Sequence, residues 1–314
     1  MSKYIYGIDL GGTTVKIGFF NLEGDLLDNF QIPTNKEENG KNILIDITNA
    51  LKFHMNEKNL NIDDIKGVGI GVPGPVSDGV VYRCVNLGWG IVNVKQELEA
   101  LLGVPVFVSN DANIAGLGEL WKGGGSGYKN LVFLTLGTGV GGAVIVDGRI
   151  VDGFVGAGGE IGHCPTCTDG FSCNCGKTGC LETVASATGV VNVTTKILQE
   201  TNTPSNLRNY DKLSARIIFD EAKAGDPVAT EAIEIFGKNL GFVCAMVGVV
   251  TNPQAFVFGG GVSKAGEIIT EVVKKYFNEY AFPGIVASTE FKLATLGNDA
   301  GIYGAAYLAR ENSQ

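Results

Sequence analysis

The chain has 314 residues, of which 45% are hydrophobic and 18% charged, and a formal net charge of -9. That apolar share supplies cores for two lobes of about 150 residues each and leaves little room for disorder. The negative sign opposes attraction to nucleic acid and to anionic membranes, which both require a positive field, so neither is expected as a partner.

In chain order, Tyr4 to Asp9 reads as a strand, LGGTT as a Gly-rich turn and Val15 to Phe20 as a second strand, with a third around the Gly24 turn. Ile43, Ile47, Leu51 and Met55 then recur at intervals of four, which places one apolar stripe on a helix facing that meander. Gly67 to Val72 reads as a short buried strand, Val92 to Leu102 as a helix and Val106 to Ser109 as a strand. Strands alternating with helices make the class α/β. From Leu131 the pattern restarts with LVFLTLG, the turn TGVGG and the strands AVIVDG and RIVDG. LGGTTVKIGFF and LGTGVGGAVIV share the order strand, Gly/Thr turn, strand, which suggests an internal repeat, although two unrelated hairpins would read the same way.

Helices are expected near Ala185 to Gln199, Leu213 to Ala224 and Pro227 to Val250, the last capped by Asp226 with Pro227 in its first position. Strand Ala255 to Phe258 enters GGGVSKAG and another helix, and the last helix, Asp299 to Arg310, is expected to return to the first lobe. The expected lobes are residues 1–117 with 299–314, the smaller, and residues 118–298, the larger. The start, MSKYIYGIDL, has no apolar stretch long enough for a signal peptide, and the run Leu240 to Val250 is too short to cross about 30 Å of hydrocarbon. A cytoplasmic location is expected.

Backbone N–H groups in glycine turns can surround phosphate oxygens where any Cβ would collide. Three loops qualify: Gly11, Gly12, Thr13 and Thr14; the TGVGG turn with Gly137, Thr138, Gly139, Gly141 and Gly142; and Gly259, Gly260 and Gly261. The first two lie between antiparallel strands, unlike a Walker loop or a dinucleotide fingerprint, and the third precedes a helix whose N-terminal dipole suits a nucleotide. Asp9 beside the first loop reads either as a carboxylate that orients Mg²⁺ through its water shell or as a turn former, and Lys16 either as a phosphate contact or as a solvated strand lysine. Phosphoryl transfer to an alcohol needs a carboxylate to take the proton, and Asp111, directly after strand VFVS, is the candidate base. An Asp at such a place serves equally as a helix N-cap.

Five of the seven cysteines lie between Cys164 and Cys180, an arrangement that suits metal binding in a reducing compartment. His163, Cys173, Cys175 and Cys180 offer the donors of a closed tetrahedral, structural Zn²⁺ site. An all-cysteine site drawing on Cys164 or Cys167 has compatible spacing, while Cys84 and Cys244 read as packed core residues.

Together, DLGGTTVKIG, GIGVPGPVS, SNDANIAGLGE, LTLGTGVGG, GGEIGHC, CNCGKTGCLE and FGGGVS resemble the ROK family of sugar kinases and sugar-responsive repressors, its bacterial glucokinases most of all, from Gly7 to about Gly304. The resemblance implies two ribonuclease-H-like lobes of the actin-like ATPase fold with the ligands in the cleft between them, and frequent dimers. It implies Asp111 as the base and Asn110, Glu160, His163 and Glu182 as sugar contacts, with Gly74 and Asn86 in the same set. It further implies zinc at His163 and the three cysteines, ATP with Mg²⁺ as donor, and glucose as acceptor at its 6-hydroxyl. Another hexose (fructose, mannose or an N-acetylhexosamine), polyphosphate as donor, and a non-catalytic sugar sensor are the alternatives. The repressor branch carries an N-terminal helix-turn-helix, for which no room is expected before Tyr4.

Overall fold

A computed structural model describes residues 3–313. The chain divides into two compact units of closely similar length, one made of the chain up to Gly127 with Gly148–Gly158 and everything from Leu296, the other of Tyr128–Asp147 and Gly159–Thr295. The division therefore falls later than 117/118, because a helix runs unbroken from Asp111 to Lys122, and the short segment 148–158 packs with the first unit.

The first unit is built on strands β1 (Tyr4–Leu10), β2 (Thr14–Asn21), β3 (Leu26–Pro33) and β4 (Ile65–Val72), with a small antiparallel sheet of β5 (Val76–Ser77), β6 (Val80–Val81) and β7 (Val92–Asn93), and then β8 (Val106–Asn110). The main sheet runs β3-β2-β1-β4-β8; β1, β2 and β3 are antiparallel neighbours, while β4 is parallel to both β1 and β8. Its helices are α1 (Ile43–Glu57), α2 (Val94–Leu102), α3 (Asp111–Lys122) and the C-terminal helix, Ala300–Asn312. The helix expected from Val92 starts at Val94, since Asn93 caps it by accepting the Gln96 N–H and the two residues before it pair as β7.

Strand alternation sorts β1 between two cores. Tyr6, Ile8 and Leu10 join Ile43, Ile47, Leu51 and Leu98 on one face. Ile5 faces the other way, with Phe20, Ile302, Ala306 and Ala309. Gly7 and Gly69 share that second face because the C-terminal helix lies directly on it; a Cβ would sit 2.0 Å from the Ile302 carbonyl oxygen at Gly7 and 1.8 Å from that of Ala305 at Gly69. The return of the last helix to the first lobe is thus written in two glycines.

The second unit carries β9 (Leu131–Leu136) and β10 (Val140–Val146), after which the chain enters segment 148–158 with the two-residue strand β11 (Arg149–Ile150). Helices α4 (Ala187–Glu200), α5 (Ala215–Lys223), α6 (Pro227–Thr251) and α7 (Glu267–Tyr280) and strands β12 (Ala255–Gly259) and β13 (Glu290–Leu293) complete it. Here β9 is antiparallel to β10 and parallel to β12, which is parallel to β13. The order β10-β9-β12-β13 repeats β2-β1-β4-β8 in position and sense, so the two hairpins matched in the sequence are equivalent parts of two ribonuclease-H-like units.

Helix α6 has 25 residues and a mean hydropathy of 1.6 over its most apolar stretch, enough by length and composition to cross a membrane, more than the run Leu240 to Val250 alone suggested. Half of that stretch is buried: Ile233, Phe236, Leu240 and Val243 pack with Phe256, Phe258 and Phe277 in the core of the unit. Its other side leaves Phe242, Met246, Val249 and Val250 exposed.

Candidate active site

In the first unit, Asp9 lies one residue from the end of β1, on the face covered by the C-terminal helix; a Cβ at Gly301, in the first turn of that helix, would lie 2.7 Å from its carboxyl carbon. Burial raises the Asp9 carboxyl above its ordinary value, and the Lys16 ammonium opposes that shift. Lys16 is the residue opposite Asp9 on β2, and its Nζ donates to the Asn298 carbonyl at 2.8 Å, so it is held at the start of the last helix. The Gly11–Thr14 turn closes with the Gly11 N–H on the Thr14 carbonyl at 3.0 Å. Thr34 braces it from outside, donating its hydroxyl to the Gly11 carbonyl at 2.7 Å and its N–H to that of Thr13 at 2.9 Å. Asn86, exposed in the turn Val85–Leu87, has its Cβ 3.7 Å from where a Cβ at Gly12 would lie, which sets it beside this turn. Gly74 follows β4 at φ +111°, a conformation that suits glycine.

Asn110 ends β8 and is itself the N-cap of α3, its side-chain oxygen accepting the Asn113 N–H at 3.0 Å. Asp111 is therefore the first helical residue and not the cap; its carboxylate is exposed, with one oxygen accepting the Ala112 N–H at 2.8 Å. A strand end followed at once by a helix start gives this carboxylate a fixed backbone.

In the second unit, the turn between β9 and β10 is closed by the Gly137 N–H on the Gly139 carbonyl at 3.0 Å, and the Gly137 carbonyl accepts the Ala187 N–H that opens α4 at 2.8 Å. Thr138 at its tip is exposed. Glu182 packs beneath this turn, one oxygen 3.4 Å from the Val140 N–H and 2.5 Å from the place of a Cβ at Gly139. The third glycine loop leaves β12 at Gly259; Gly260 has φ +83°, and it and Gly261 are exposed. A four-residue helical turn, Gly260–Ser263, follows at once, and the helix expected after GGGVSKAG is α7, which starts at Glu267.

Glu182 also joins the β9–β10 turn to the cysteine segment. Its other oxygen accepts from the Cys173 thiol at 2.9 Å and lies 3.9 Å from His163 Nδ1, while His163 Nε2 is 3.8 Å from Glu160. The donor atoms of His163, Cys173, Cys175 and Cys180 all lie within 4.8 Å of one another. The Cys175 and Cys180 sulfurs are 3.6 Å apart, as are the Cys173 sulfur and His163 Nδ1. A tetrahedral zinc with Zn–S of about 2.3 Å has sulfur–sulfur edges of about 3.8 Å, so the four donors fit that ion. Cys167 turns elsewhere, against Gly170 and Gly179, and Cys164 is outside the group; Cys84 and Cys244 are buried in the two cores.

Two further groups escaped the sequence reading. Glu119 is fully buried in α3 and accepts the N–H groups of Gly124 at 2.7 Å and Leu296 at 2.9 Å, so it fastens the points where the chain leaves and re-enters the first unit. Asn113 donates its side-chain amide to Asp152 at 3.0 Å. The NDAN and GLGE motifs contained Asn113 and Glu119, but their partners are 39 and 177 residues away, and no local pattern names them.

The ROK family profile matches residues 5–312. A glucokinase from Halalkalibacterium halodurans is 42% identical, over 98% of this chain and 96% of that protein. Among solved structures, a ROK hexokinase from Thermus thermophilus is 30% identical, with a TM-score of 0.80 over 97% of each chain. A ROK glucokinase from Streptomyces griseus, solved with glucose and AMPPNP, is 31% identical with a TM-score of 0.73 over 98% of this chain and 100% of that one. The chain belongs to the ROK family, and within it to the sugar kinases.

Proposed function

We propose that the protein transfers the γ-phosphoryl group of ATP to the 6-hydroxyl of glucose, giving glucose 6-phosphate and ADP. The observation that carries this reading is the exposed carboxylate of Asp111, at the rigid junction of β8 and α3, in a chain related along nearly its whole length to glucokinases. Asp111 accepts the proton of the 6-hydroxyl as the sugar oxygen bonds to the γ-phosphorus and the bond to the β,γ-bridging oxygen breaks; the proton then passes to solvent. Asn110, Glu160, His163 and Glu182 hold the other hydroxyls with groups that both donate and accept, and Gly74 and Asn86 complete that set.

The turns Gly11–Thr14 and Gly137–Gly142, with Gly259–Gly261, present backbone N–H groups to the nucleotide phosphates. Asp9 would hold the water shell of a Mg²⁺ ion, whose charge offsets that of the phosphates. Zinc at His163, Cys173, Cys175 and Cys180 would supply rigidity rather than chemistry, since four protein donors leave no open position. With Nδ1 at the cysteines, His163 keeps Nε2 for the sugar, on the side of Glu160. The proposed setting is the cytoplasm, where ATP is available and thiols stay reduced. The exposed apolar side of α6 is the proposed contact of a homodimer.

A coupled ADP assay across common hexoses, with ATP and with polyphosphate, tests this function. Glucose- and ATP-dependent ADP formation is expected. Sugar binding without turnover on any hexose would make the protein a sensor, and turnover confined to another sugar would reassign the substrate.

A further inference from the structure

We infer that Asp152 and Asn113 are positioning residues for the phosphoryl transfer, a hydrogen-bonded pair that sets the first turn of α3 and with it Asp111. This inference rests on the reading of Asp111 as the base. The Asn113 side chain is 4% exposed, and its Nδ2 donates to Asp152 Oδ1 at 3.0 Å. Its backbone N–H donates at 3.0 Å to the side-chain oxygen of Asn110, so Asn113 is held from two sides. One bond ties it to the residue before Asp111, the other to segment 148–158. That segment closes on itself, with the Gly158 N–H on the Asp152 carbonyl at 2.7 Å, and two residues later the chain reaches Glu160. The pair therefore links the turn that presents the base to the segment that leads into a proposed sugar contact.

The chemistry of the pair explains its residue types. Asp152 lines a cavity of about 190 Å³ with Ser77, Asp78, Ser109 and Phe154, and keeps solvent on one side. A carboxylate there accepts a charge-assisted bond from the amide, while burial raises its carboxyl above the ordinary value. Removing it strands a buried amide donor, whose relief is a shift of the first turn of α3 toward solvent that carries along the backbone N–H Asn110 accepts. Displacements of that kind move Asp111 without removing any group that touches the sugar.

The test compares Asp152→Ala, Asn113→Ala, the double variant and Asp152→Asn, which keeps an acceptor oxygen of the same reach. Each is assayed for kcat and sugar KM, and backbone hydrogen exchange is followed in the peptide spanning residues 110–116. We expect kcat to fall between about 10-fold and 100-fold in either alanine variant, the range a displacement near 1 Å produces, with sugar KM within about threefold of wild type. The double variant should be no slower than the worse single one, since both break the same link, and Asp152→Asn should recover most of the lost rate. Exchange in residues 110–116 should quicken in the alanine variants and slow again in Asp152→Asn. Unchanged exchange and unchanged kcat in Asp152→Ala would overturn the pair's role, as would losses that multiply in the double variant. Quickened exchange with unchanged turnover would leave the link standing and instead remove Asp111 from the chemistry, so the two failures are told apart.

Discussion

Gly304→Ala should destabilise the first unit by an amount that can be worked from the contact between α3 and the C-terminal helix. A Cβ at Gly304 would lie 1.6 Å from the Ile114 carbonyl oxygen and 2.7 Å from the Gly118 nitrogen, both backbone atoms that no rotamer can move aside. Reaching an ordinary contact requires the helices to part by roughly 1.5 Å, and overpacking of this kind costs typically 1–3 kcal/mol, here about 3 because backbone must shift. Alanine recovers about 1 kcal/mol of helix propensity, which leaves a net loss of about 2 kcal/mol. For a folding unit of the first unit's size that is a fall in its Tm of about 4–8 °C. Gly90→Ala is the control, since nothing lies within 4 Å of its Cβ position and its φ is not positive. Thermal unfolding followed by circular dichroism measures both. Because α3 begins at Asp111, Gly304→Ala should also lower kcat. A Tm within about 1 °C of the Gly90→Ala value would refute the steric argument.

Purified protein is expected to hold one zinc per chain by metal analysis, and Cys175→Ser to release it; full zinc retention in that variant would reopen the all-cysteine set that includes Cys164 or Cys167. Asp226→Ala should cost about 0.5–2 kcal/mol, as loss of an N-cap does. Its pH dependence follows from the same side chain: burial pushes the Asp226 carboxyl up, but the Ala229 and Asn206 N–H groups and the Ser205 hydroxyl outweigh it and hold the group below its ordinary 3.8. A carboxyl lowered on folding stabilises above its unfolded value and loses that contribution as pH falls through the folded one. The stability gap between wild type and Asp226→Ala should therefore be constant near neutrality and shrink below about pH 4; a gap that widens there would show the sign to be wrong.

Much of this fold is legible because the sequence repeats its own physics. The hairpins declare themselves by apolar strands on either side of Gly/Thr turns, and α1 by Ile43, Ile47, Leu51 and Met55, all of them buried. The candidate site is legible where its chemistry is local: Asp9, the glycine turns, and the His163 and cysteine group stand in short motifs, and of these the four metal donors are seen to gather. The small sheet β5-β6-β7 was hidden because two-residue strands leave no alternation to read. Segment 148–158 was read with the second lobe because it continues from β10, whereas its packing is decided by distant partners such as Asn113. The partner of Lys16 is hidden for a similar reason; the Asn298 carbonyl that accepts from it is 282 residues away.

Asp111→Asn keeps the shape of the side chain and removes its basicity, so it isolates the proposed transfer of the sugar's proton to this carboxylate. Sugar binding by calorimetry and sugar-dependent ADP formation are measured on the same preparation. Glucose binding is expected near the wild-type level, with turnover reduced by about 10²- to 10⁴-fold, the usual contribution of a general base. Turnover within tenfold of wild type in a variant that still binds glucose would contradict that transfer.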